Sequence, residues 1–228
     1  MSSGTSNVSF TIPAAGTYTF DVWMREDGTL IDKFVLNTSG SQPSGSGPTE
    51  SEAGGTAADD IGVSDGSFEG TPTAGTSGFG DGGTSIDFTG TDTFVEVPHD
   101  PAYLLNNGTL AFWFRPGDTS GTQTMVSKDA TNYVTGGHIR VYLNGNRVEC
   151  RLQRTSSSKY VSSSSGSVSA NTWHHVAVGF GSGGLRMYLN GVLVDTDSHT
   201  AGLGTSSGGV GNEEPILFGA DLWQSSSG

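Results

Sequence analysis

Cysteine, basic side chains and long apolar runs are all scarce in this sequence. Cys150 is its one cysteine, which excludes an intramolecular disulfide, and its alternation with Val148 and Leu152 predicts an inward-facing core residue. No run of about 18 apolar residues occurs, so no membrane span is predicted. The opening residues, Met1-Ser-Ser-Gly, lack the basic start and apolar core of a signal peptide, so a secretion signal is expected only upstream of them.

Positive charge is scarce relative to negative charge. Ten basic residues stand against 23 acidic ones, which gives a formal charge of -13. Nucleic acids and anionic membranes are therefore not expected as partners of the whole molecule. Thirty-six residues are glycine and only 33% are hydrophobic, a composition typical of short strands joined by many turns. We therefore expect an all-β protein with almost no helix.

One hairpin is predicted around Asn190-Gly191, a dipeptide that favours two-residue turns. In that register Arg186 faces Asp195 across the outer face of the hairpin. The inner face is predicted to bury the alternating residues Leu185, Met187, Leu189, Val192 and Val194.

A second copy of this design runs from Arg140 to Glu149, with its turn predicted at Asn144-Gly145. The predicted pairs are Val141 with Val148 and Ile139 with Cys150 on the inner face, and Arg140 with Glu149 and Tyr142 with Arg147 on the outer face. Two hairpins of one design indicate a fold in which one sheet packs on another.

Six segments, in this order, resemble a laminin-G-like domain of the concanavalin A-like lectin/glucanase superfamily. They are Phe88–Pro98, Gly108–Pro116, Met125–Lys128, Trp173–Ala177, Leu185–Val192 and Ile216–Ala220. The resemblance covers residues 61–228 and implies an antiparallel jelly-roll β-sandwich, a glycan- or protein-binding role in a secreted protein, and often a structural calcium. The family pattern continues to a final strand that we do not find, so this strand is expected to be missing or supplied by residues 8–36.

Residues 1–39 contain three predicted strands, at 8–12, 17–23 and 30–36, which are too few for a dependable core. They resemble the closing strands of galactose-binding-like carbohydrate-binding modules attached to polysaccharide-degrading enzymes, and this resemblance implies a structural calcium near Asp32. Alternatively, the segment docks against the second domain. Residues 40–60 are rich in Ser, Gly, Pro and acidic residues, which predicts a linker.

Catalytic patterns in the sequence lack the context that their chemistry requires. Gly62–Gly66 and Gly204–Gly208 match the nucleophile elbow, but neither lies between a buried strand and a helix. Glucanases need paired carboxylates, and the nearest pattern here, Asp195-Thr-Asp197, lacks the third acid found in such enzymes of the superfamily. His174 and His175 are adjacent on a strand and point to opposite faces, so they cannot chelate one metal together. We therefore expect no enzymatic activity.

Calcium is the metal that the sequence favours, because it binds several carboxylate and carbonyl oxygens from loops. Asp65 is nearest to the loop position that the laminin-G-like resemblance implies. Asp197 is a weaker candidate, and Asp32 completes the predicted metal-binding residues.

The predicted ligand site is a local excess of basic side chains on one face of the hairpin that contains Arg140–Glu149. Five of the eight Lys and Arg residues after residue 60 fall between Arg140 and Lys159, with Glu149 as the one acid among them. Guanidinium groups beside tyrosine rings suit an anionic or sulfated sugar. The predicted ligand-binding residues are His138, Arg140, Tyr142, Arg147, Arg151 and Tyr160. The alternative is a solvated face in which Arg140 pairs with Glu149 and Arg147 covers Tyr142.

Together these observations predict a non-catalytic carbohydrate-binding module of a secreted, polysaccharide-active or cell-surface protein. The alternative is an extracellular adhesion or structural module that binds protein or self-associates through an unpaired sheet edge. The third interpretation is that the chain is a fragment of a glycoside hydrolase or lyase.

Overall fold

The computed structural model describes residues 56–57, 64–80, 83–89, 92–129 and 135–222. The chain divides into two units, Met1–Pro43 and Ser44–Gly228, and all described residues belong to the second. The strands predicted at 8–12, 17–23 and 30–36, together with Asp32, lie outside the described residues. The division of the chain into domains at 1–39, 40–60 and 61–228 stays a prediction.

The described residues form fourteen β-strands and two short 3-10 turns, Pro101–Tyr103 and Thr205–Ser207. The strands are β1 (Thr56–Ala57), β2 (Gly66–Glu69), β3 (Thr73–Ser77), β4 (Thr84–Asp87), β5 (Phe94–Val97), β6 (Gly108–Phe114), β7 (Thr122–Lys128), β8 (His138–Asn144), β9 (Arg147–Arg154), β10 (Ser157–Ser162), β11 (His174–Phe180), β12 (Leu185–Leu189), β13 (Val192–Asp197) and β14 (Ile216–Phe218). Within the described ranges, no helix is long and apolar enough to span a membrane.

The strands build two main antiparallel sheets. The large sheet has the order β1-β2-β5-β14-β7-β8-β9-β10, the small sheet has the order β13-β12-β11-β6, and β3 and β4 form a separate hairpin. Strand β1 lies within the predicted linker and pairs with β2, so the large sheet begins before residue 61. The prediction of an all-β antiparallel sandwich is confirmed.

Both sheets contribute alternate side chains to one core. The large sheet supplies Ile139, Val141, Leu143, Val148, Cys150 and Leu152, and the small sheet supplies Val176, Val178, Leu185, Met187 and Leu189. Each fully buried side chain of this size contributes roughly 1.5–3 kcal/mol. Cys150 is completely buried and unbonded to another cysteine, as the alternation along β9 predicts.

The hairpin of β8 and β9 turns one residue later than the sequence predicts. Its two turn residues are Gly145 and Asn146 rather than Asn144 and Gly145. Gly145 takes the first central position with a φ of 61°, as in a type II′ turn. The observed pairs are Ile139 with Leu152, Arg140 with Arg151, Val141 with Cys150 and Tyr142 with Glu149. Each residue of β8 therefore pairs with a residue of β9 two positions further along the chain than predicted. Because side chains alternate with a period of two, the predicted inner and outer faces remain correct.

The hairpin of β12 and β13 has the predicted turn but a different continuation. Asn190 and Gly191 have φ values of 51° and 79°, which a type I′ turn requires. A bulge after the first two pairs then sets Arg186 opposite Thr196 rather than Asp195. The predicted burial of Val192 and Val194 is wrong: they are 64% and 37% exposed, because β13 is the edge strand of the small sheet.

Strand β10 lies within the stretch 155–169, whose many serines are by composition more typical of a loop. It pairs with β9 over six residues, and Val161 joins the core opposite Cys150. Beyond it, Ser163 accepts a hydrogen bond from the Val148 amide at 3.0 Å. Val161 alone gives too weak an apolar alternation to predict a strand from the sequence. The strand forms because it pairs with β9.

Candidate functional site

The predicted ligand-binding residues share the face of the large sheet that points away from the core. On β8 and β9 they alternate with the buried apolar residues, and Tyr160 on β10 lies opposite Arg151. Their accessibility differs, however, because acidic residues from distant parts of the chain reach the same face. The face therefore divides into a buried polar part and an exposed part.

His138 and Arg151 belong to the buried part. His138 Nδ1 lies 3.3 Å from Asp129 Oδ1, and Arg151 pairs with the other oxygen of that carboxylate while donating to Gln153 Oε1 at 2.6 Å. Burial alone would raise the pKa of Asp129, but the hydrogen bond from His138 and the charge of Arg151 outweigh it and hold that pKa below its usual range. Both predicted ligand residues therefore have internal partners and lie away from solvent.

Arg140 also has internal ion-pair and hydrogen-bond partners. Its Nε lies 2.7 Å from Asp221 Oδ2, and its Nη2 donates to Thr124 Oγ1 at 2.7 Å. Its Cζ lies 4.6 Å from the centre of the Tyr142 ring. The alternative predicted from the sequence is thus wrong in its partners: Arg140 pairs with Asp221 rather than Glu149, and Arg140 rather than Arg147 covers Tyr142.

The exposed part is organised around Glu149, and we call it the tyrosine patch: Tyr142, Asn144, Arg147, Glu149 and Tyr160. Glu149 accepts from the Tyr142 hydroxyl at 2.6 Å and from Asn144 Nδ2 at 3.1 Å, and it pairs with Arg147. Burial of the phenol, reinforced by its hydrogen bond to Glu149, raises the pKa of Tyr142 well above its usual range. Tyr160 is 55% exposed, and the Arg147 side chain is 41% exposed. The patch thus offers an open ring beside donors in fixed positions.

The predicted excess of positive charge is cancelled at this face. Asp129 pairs with Arg151, Glu149 pairs with Arg147, and Asp221 pairs with Arg140. The sequence reveals only Glu149 of these three acids as a neighbour, because the other two lie outside the hairpin. The tyrosine patch therefore contains one arginine and one glutamate that pair with each other, and it carries no excess of positive charge.

The outer face of the small sheet carries a second group of exposed and partly buried side chains, which the sequence alone did not connect. We call it the tryptophan face: Phe79, Trp113, Arg115, Trp173 and His175. The Phe79 and Trp113 rings stack with centroids 3.5 Å apart, and both residues are nearly half exposed. The alternation of large residues on β6 predicts that Trp113 is partly covered on the far side of the sheet, and Phe79 provides that cover.

The two adjacent histidines point to opposite faces, as predicted. The His174 ring lies in the interior, 5.5 Å from the Phe114 ring, and its Nδ1 is 3.3 Å from Asn190 Nδ2. The His175 ring lies on the outer face, 5.1 Å from the Trp113 ring. Neither arrangement resembles a metal site.

Two of the three predicted calcium ligands, Asp65 and Asp197, lie among the described residues. Asp65 is exposed, and Asp197 Oδ1 accepts a hydrogen bond from the His199 amide at 2.8 Å. Across residues 64–222, apart from the undescribed gaps, no group of three or more His, Cys, Asp or Glu side chains is placed to hold a metal. Within the described residues, Asp65 and Asp197 therefore belong to no such group. The presence of calcium stays a prediction.

The acids nearest to the glucanase pattern have separate structural roles. Asp195 Oδ2 accepts a hydrogen bond from the Ser162 amide at 2.8 Å and links β13 to β10. Asp197 instead caps the backbone at His199. The two carboxylates therefore do not act as the opposed pair that glycoside hydrolysis needs.

Two antiparallel sheets around a single core, with polar and aromatic side chains on their outer faces, define a lectin-like β-sandwich. Residues 89–227 match a laminin G-like model described as the concanavalin A-like lectin/glucanases superfamily. The match covers more than half of the sequence, and the chain belongs to this superfamily. Residues 2–50 are similar to the C-terminal domain of glycosyl hydrolase family 115, which agrees with the resemblance of this segment to modules of polysaccharide-degrading enzymes. No curated protein matches the chain.

Two solved structures with TM-scores above 0.5 show the same fold at low sequence identity. The receptor-binding domain of botulinum neurotoxin C/D mosaic serotype has a TM-score of 0.51 and 14% identity, over 72% of this chain and 43% of that one. The botulinum neurotoxin serotype D binding domain has a TM-score of 0.51 and 16% identity, over 72% and 42%. The CBM40 module of a Ruminococcus gnavus sialidase, bound to sialyllactose, has a TM-score of 0.45 and 16% identity, over 54% and 68%. This chain thus spans less than half the length of the toxin domains.

Proposed function

We propose that this protein is a non-catalytic carbohydrate-binding module whose ligand lies on the tyrosine patch. The observation that carries the proposal is the arrangement around Glu149, which fixes Tyr142, Asn144 and Arg147 on the same face of the sheet as the open ring of Tyr160. Membership of a superfamily that includes lectins supports it. A sugar presents apolar ring faces and polar edges, and an exposed ring with oriented donors complements both.

The chemistry of the patch favours a neutral hexose or pentose chain. Tyr160 supplies a stacking surface, while Asn144, Arg147 and Glu149 supply donors and acceptors for sugar hydroxyls. These groups are already bonded to one another, so they lose little freedom when a ligand binds. We place the module on a secreted protein that acts on or adheres to polysaccharide, a role supported by the similarity of residues 2–50 to a glycosyl hydrolase domain.

A glycan array of plant, algal and animal glycans tests the proposal. We expect saturable binding that Tyr160→Ala and Arg147→Ala each weaken at least about tenfold, as truncation of a binding hot spot does. Tyr103→Ala, in the 3-10 turn Pro101–Tyr103, is the matched control and should bind as the wild type does. An array with no response, or equal binding by all variants, contradicts the proposal. Arms with calcium and with a chelator test the predicted calcium in the same experiment.

Strand β13 favours a second candidate function, self-association. It is an edge strand whose first three residues, Val192, Leu193 and Val194, are all exposed and apolar. Such an edge can pair with another chain. Light scattering across a concentration series tests this: dimers that Val192→Lys dissociates support an adhesion or assembly role, and a monomer at all concentrations argues against it.

The interpretation of the chain as an enzyme fragment is tested separately. We expect no turnover in a hydrolysis screen over polysaccharides that the array identifies, because Asp195 and Asp197 are committed to backbone hydrogen bonds. Turnover by the purified protein would contradict the non-catalytic assignment.

A further inference from the structure

The tryptophan face forms a continuous row of rings across one edge of the small sheet. The Arg115 Cζ lies 5.9 Å from the Trp173 ring, and the Trp173 and Phe79 rings are 6.5 Å apart. Phe79 stacks on Trp113, whose ring lies 5.1 Å from that of His175. The five side chains thus run from a cation through three aromatic rings to an imidazole.

This row is outside the core of the sandwich. The inward residues of β11, Val176 and Val178, are completely buried, whereas Trp113 and Phe79 are 44% and 45% exposed on the opposite side of the sheet. Beside the row, the outer face of the same sheet carries the small residues Ala111, Ala177 and Gly179. Small side chains leave space beside the rings for a flat ligand to lie along the sheet.

The charge of this face is opposite to that of the molecule. Arg115 and Arg186 are both exposed, and neither forms an ion pair within the described residues. The side chains that the register places on this face of β6, β11 and β12 include no acid. In a chain with a formal charge of -13, a face on which β6, β11 and β12 place two arginines and no acid is a marked local exception among the described residues.

We propose that the tryptophan face is a second glycan-binding surface, and that it takes acidic polysaccharides that carry carboxylates or sulfates. The sugar ring packs on the exposed sides of Phe79 and Trp113, and the acidic group reaches Arg115, which forms bidentate contacts with carboxylates or sulfates. Arg186 extends the positive charge along the sheet and attracts the next acidic residue of the polymer.

This inference goes beyond the proposed function, because it uses none of the residues of the tyrosine patch. The two surfaces lie on the outer faces of different sheets, with the core between them. A module with a neutral-sugar surface on one side and an acidic-sugar surface on the other is able to hold two polysaccharide chains at once, and such bivalent attachment raises the overall affinity for a mixed polymer network.

Isothermal titration with hexasaccharides of galacturonate, alginate and heparin, and with cellohexaose as the neutral probe, tests the inference. We expect at least one acidic probe to bind, with an affinity that falls as salt is raised. Trp113→Ala should weaken that binding at least about tenfold. Arg115→Gln, an exposed change that leaves the rings in place, should abolish the preference for acidic over neutral probes. Val210→Ala, another exposed apolar truncation, is the control.

The outcomes separate this inference from the proposed function. If acidic probes bind and Tyr160→Ala leaves their affinity unchanged while Trp113→Ala lowers it, the second surface is supported whatever happens at the tyrosine patch. If no acidic probe binds, or if folded Trp113→Ala and Arg115→Gln bind as the wild type does, the inference is overturned. It is equally overturned if the two variants alter only self-association, because the face then serves another copy of the chain.

Discussion

At the scale of single residues, burial determines the chemistry of the titratable groups more than their neighbours in sequence do. Cys150 and Lys128 are both removed from solvent, and burial disfavours the charged form of each. For Cys150 the alternation along β9 is sufficient to predict the environment. For Lys128 it is not, because the groups around its amine come from a distant loop and from His99.

Cys150 should make stability fall at high pH. Burial raises the pKa of its thiol from about 9 to about 12, so above pH 9 the unfolded chain ionises while the folded chain keeps its proton, and the free energy of unfolding decreases. Between pH 8 and pH 10 this loss is about 1.4 kcal/mol, and Cys150→Ala lacks it. Urea unfolding of both proteins at the two pH values checks the prediction. A constant difference between them at both pH values would contradict it.

Lys128 should make the folded protein more stable as pH rises, which is opposite to the effect of Cys150. Its Nζ donates to the Asn212 carbonyl at 3.1 Å and to the Glu214 carbonyl, and it lies 3.2 Å from His99 Nδ1. Burial, only partly offset by Glu214, lowers its pKa from 10.5 to about 8. Between these values the unfolded chain binds the extra proton, so this residue adds stability as pH rises from 8 to 10.5.

The difference in unfolding free energy between the wild type and Lys128→Met measures this contribution. It should move in favour of the wild type as pH is raised through that window, because Met cannot titrate. Parallel curves for the two proteins would show that the amine of Lys128 is not desolvated in the fold. Lys159→Met, at a lysine that is only partly buried, is the matched control for the change of side chain.

At the scale of strands and turns, the sequence predicts which side of a strand faces the core but not always which residues pair across it. Both hairpins contain Asn-Gly, yet one turns at Asn190-Gly191 and the other at Gly145-Asn146. Strand alternation is a local property and is visible in one segment. Turn type and the bulge in β13 depend on the neighbouring strands, and a single segment does not contain that information.

Backbone conformation alone should set the cost of substitution at Gly191. This residue has a φ of 79°, and an added Cβ would meet no atom within 4 Å. Gly191→Ala should therefore destabilise the protein by about 1 kcal/mol through left-handed strain and nothing else. Gly117→Ala is the matched control: its surroundings are equally open, its φ is not positive, and it should change stability by less than about 0.5 kcal/mol. Thermal unfolding of both variants distinguishes a loss of stability caused by backbone strain from one caused by side-chain contacts.

At the scale of the whole molecule, the order of six short segments predicted the superfamily, although the two toxin domains of this fold are only 14% and 16% identical to the chain. The sandwich tolerates such divergence because its core requires alternating apolar residues more than particular ones. The site was less predictable. The acids that pair with Arg140 and Arg151 lie elsewhere in the sequence, and the stacking of Phe79 on Trp113 joins a loop to a strand.

These distant contacts change the functional interpretation. They convert a predicted basic platform on the large sheet into a neutral tyrosine patch, and they create an aromatic, positively charged surface on the small sheet. The predicted function class, a carbohydrate-binding or adhesion module, is retained. We therefore propose the site for an anionic sugar on the small sheet rather than on the large sheet.

The most direct measurement is a nuclear magnetic resonance titration of the 15N-labelled protein with the tightest neutral glycan from the array. We predict saturable chemical-shift changes at the backbone amides of four residues, Tyr142, Arg147, Glu149 and Tyr160. The amides of Trp113 and His175 should change little. Shifts confined to other parts of the sandwich, or an absence of shifts at saturating glycan, would contradict glycan recognition by the tyrosine patch.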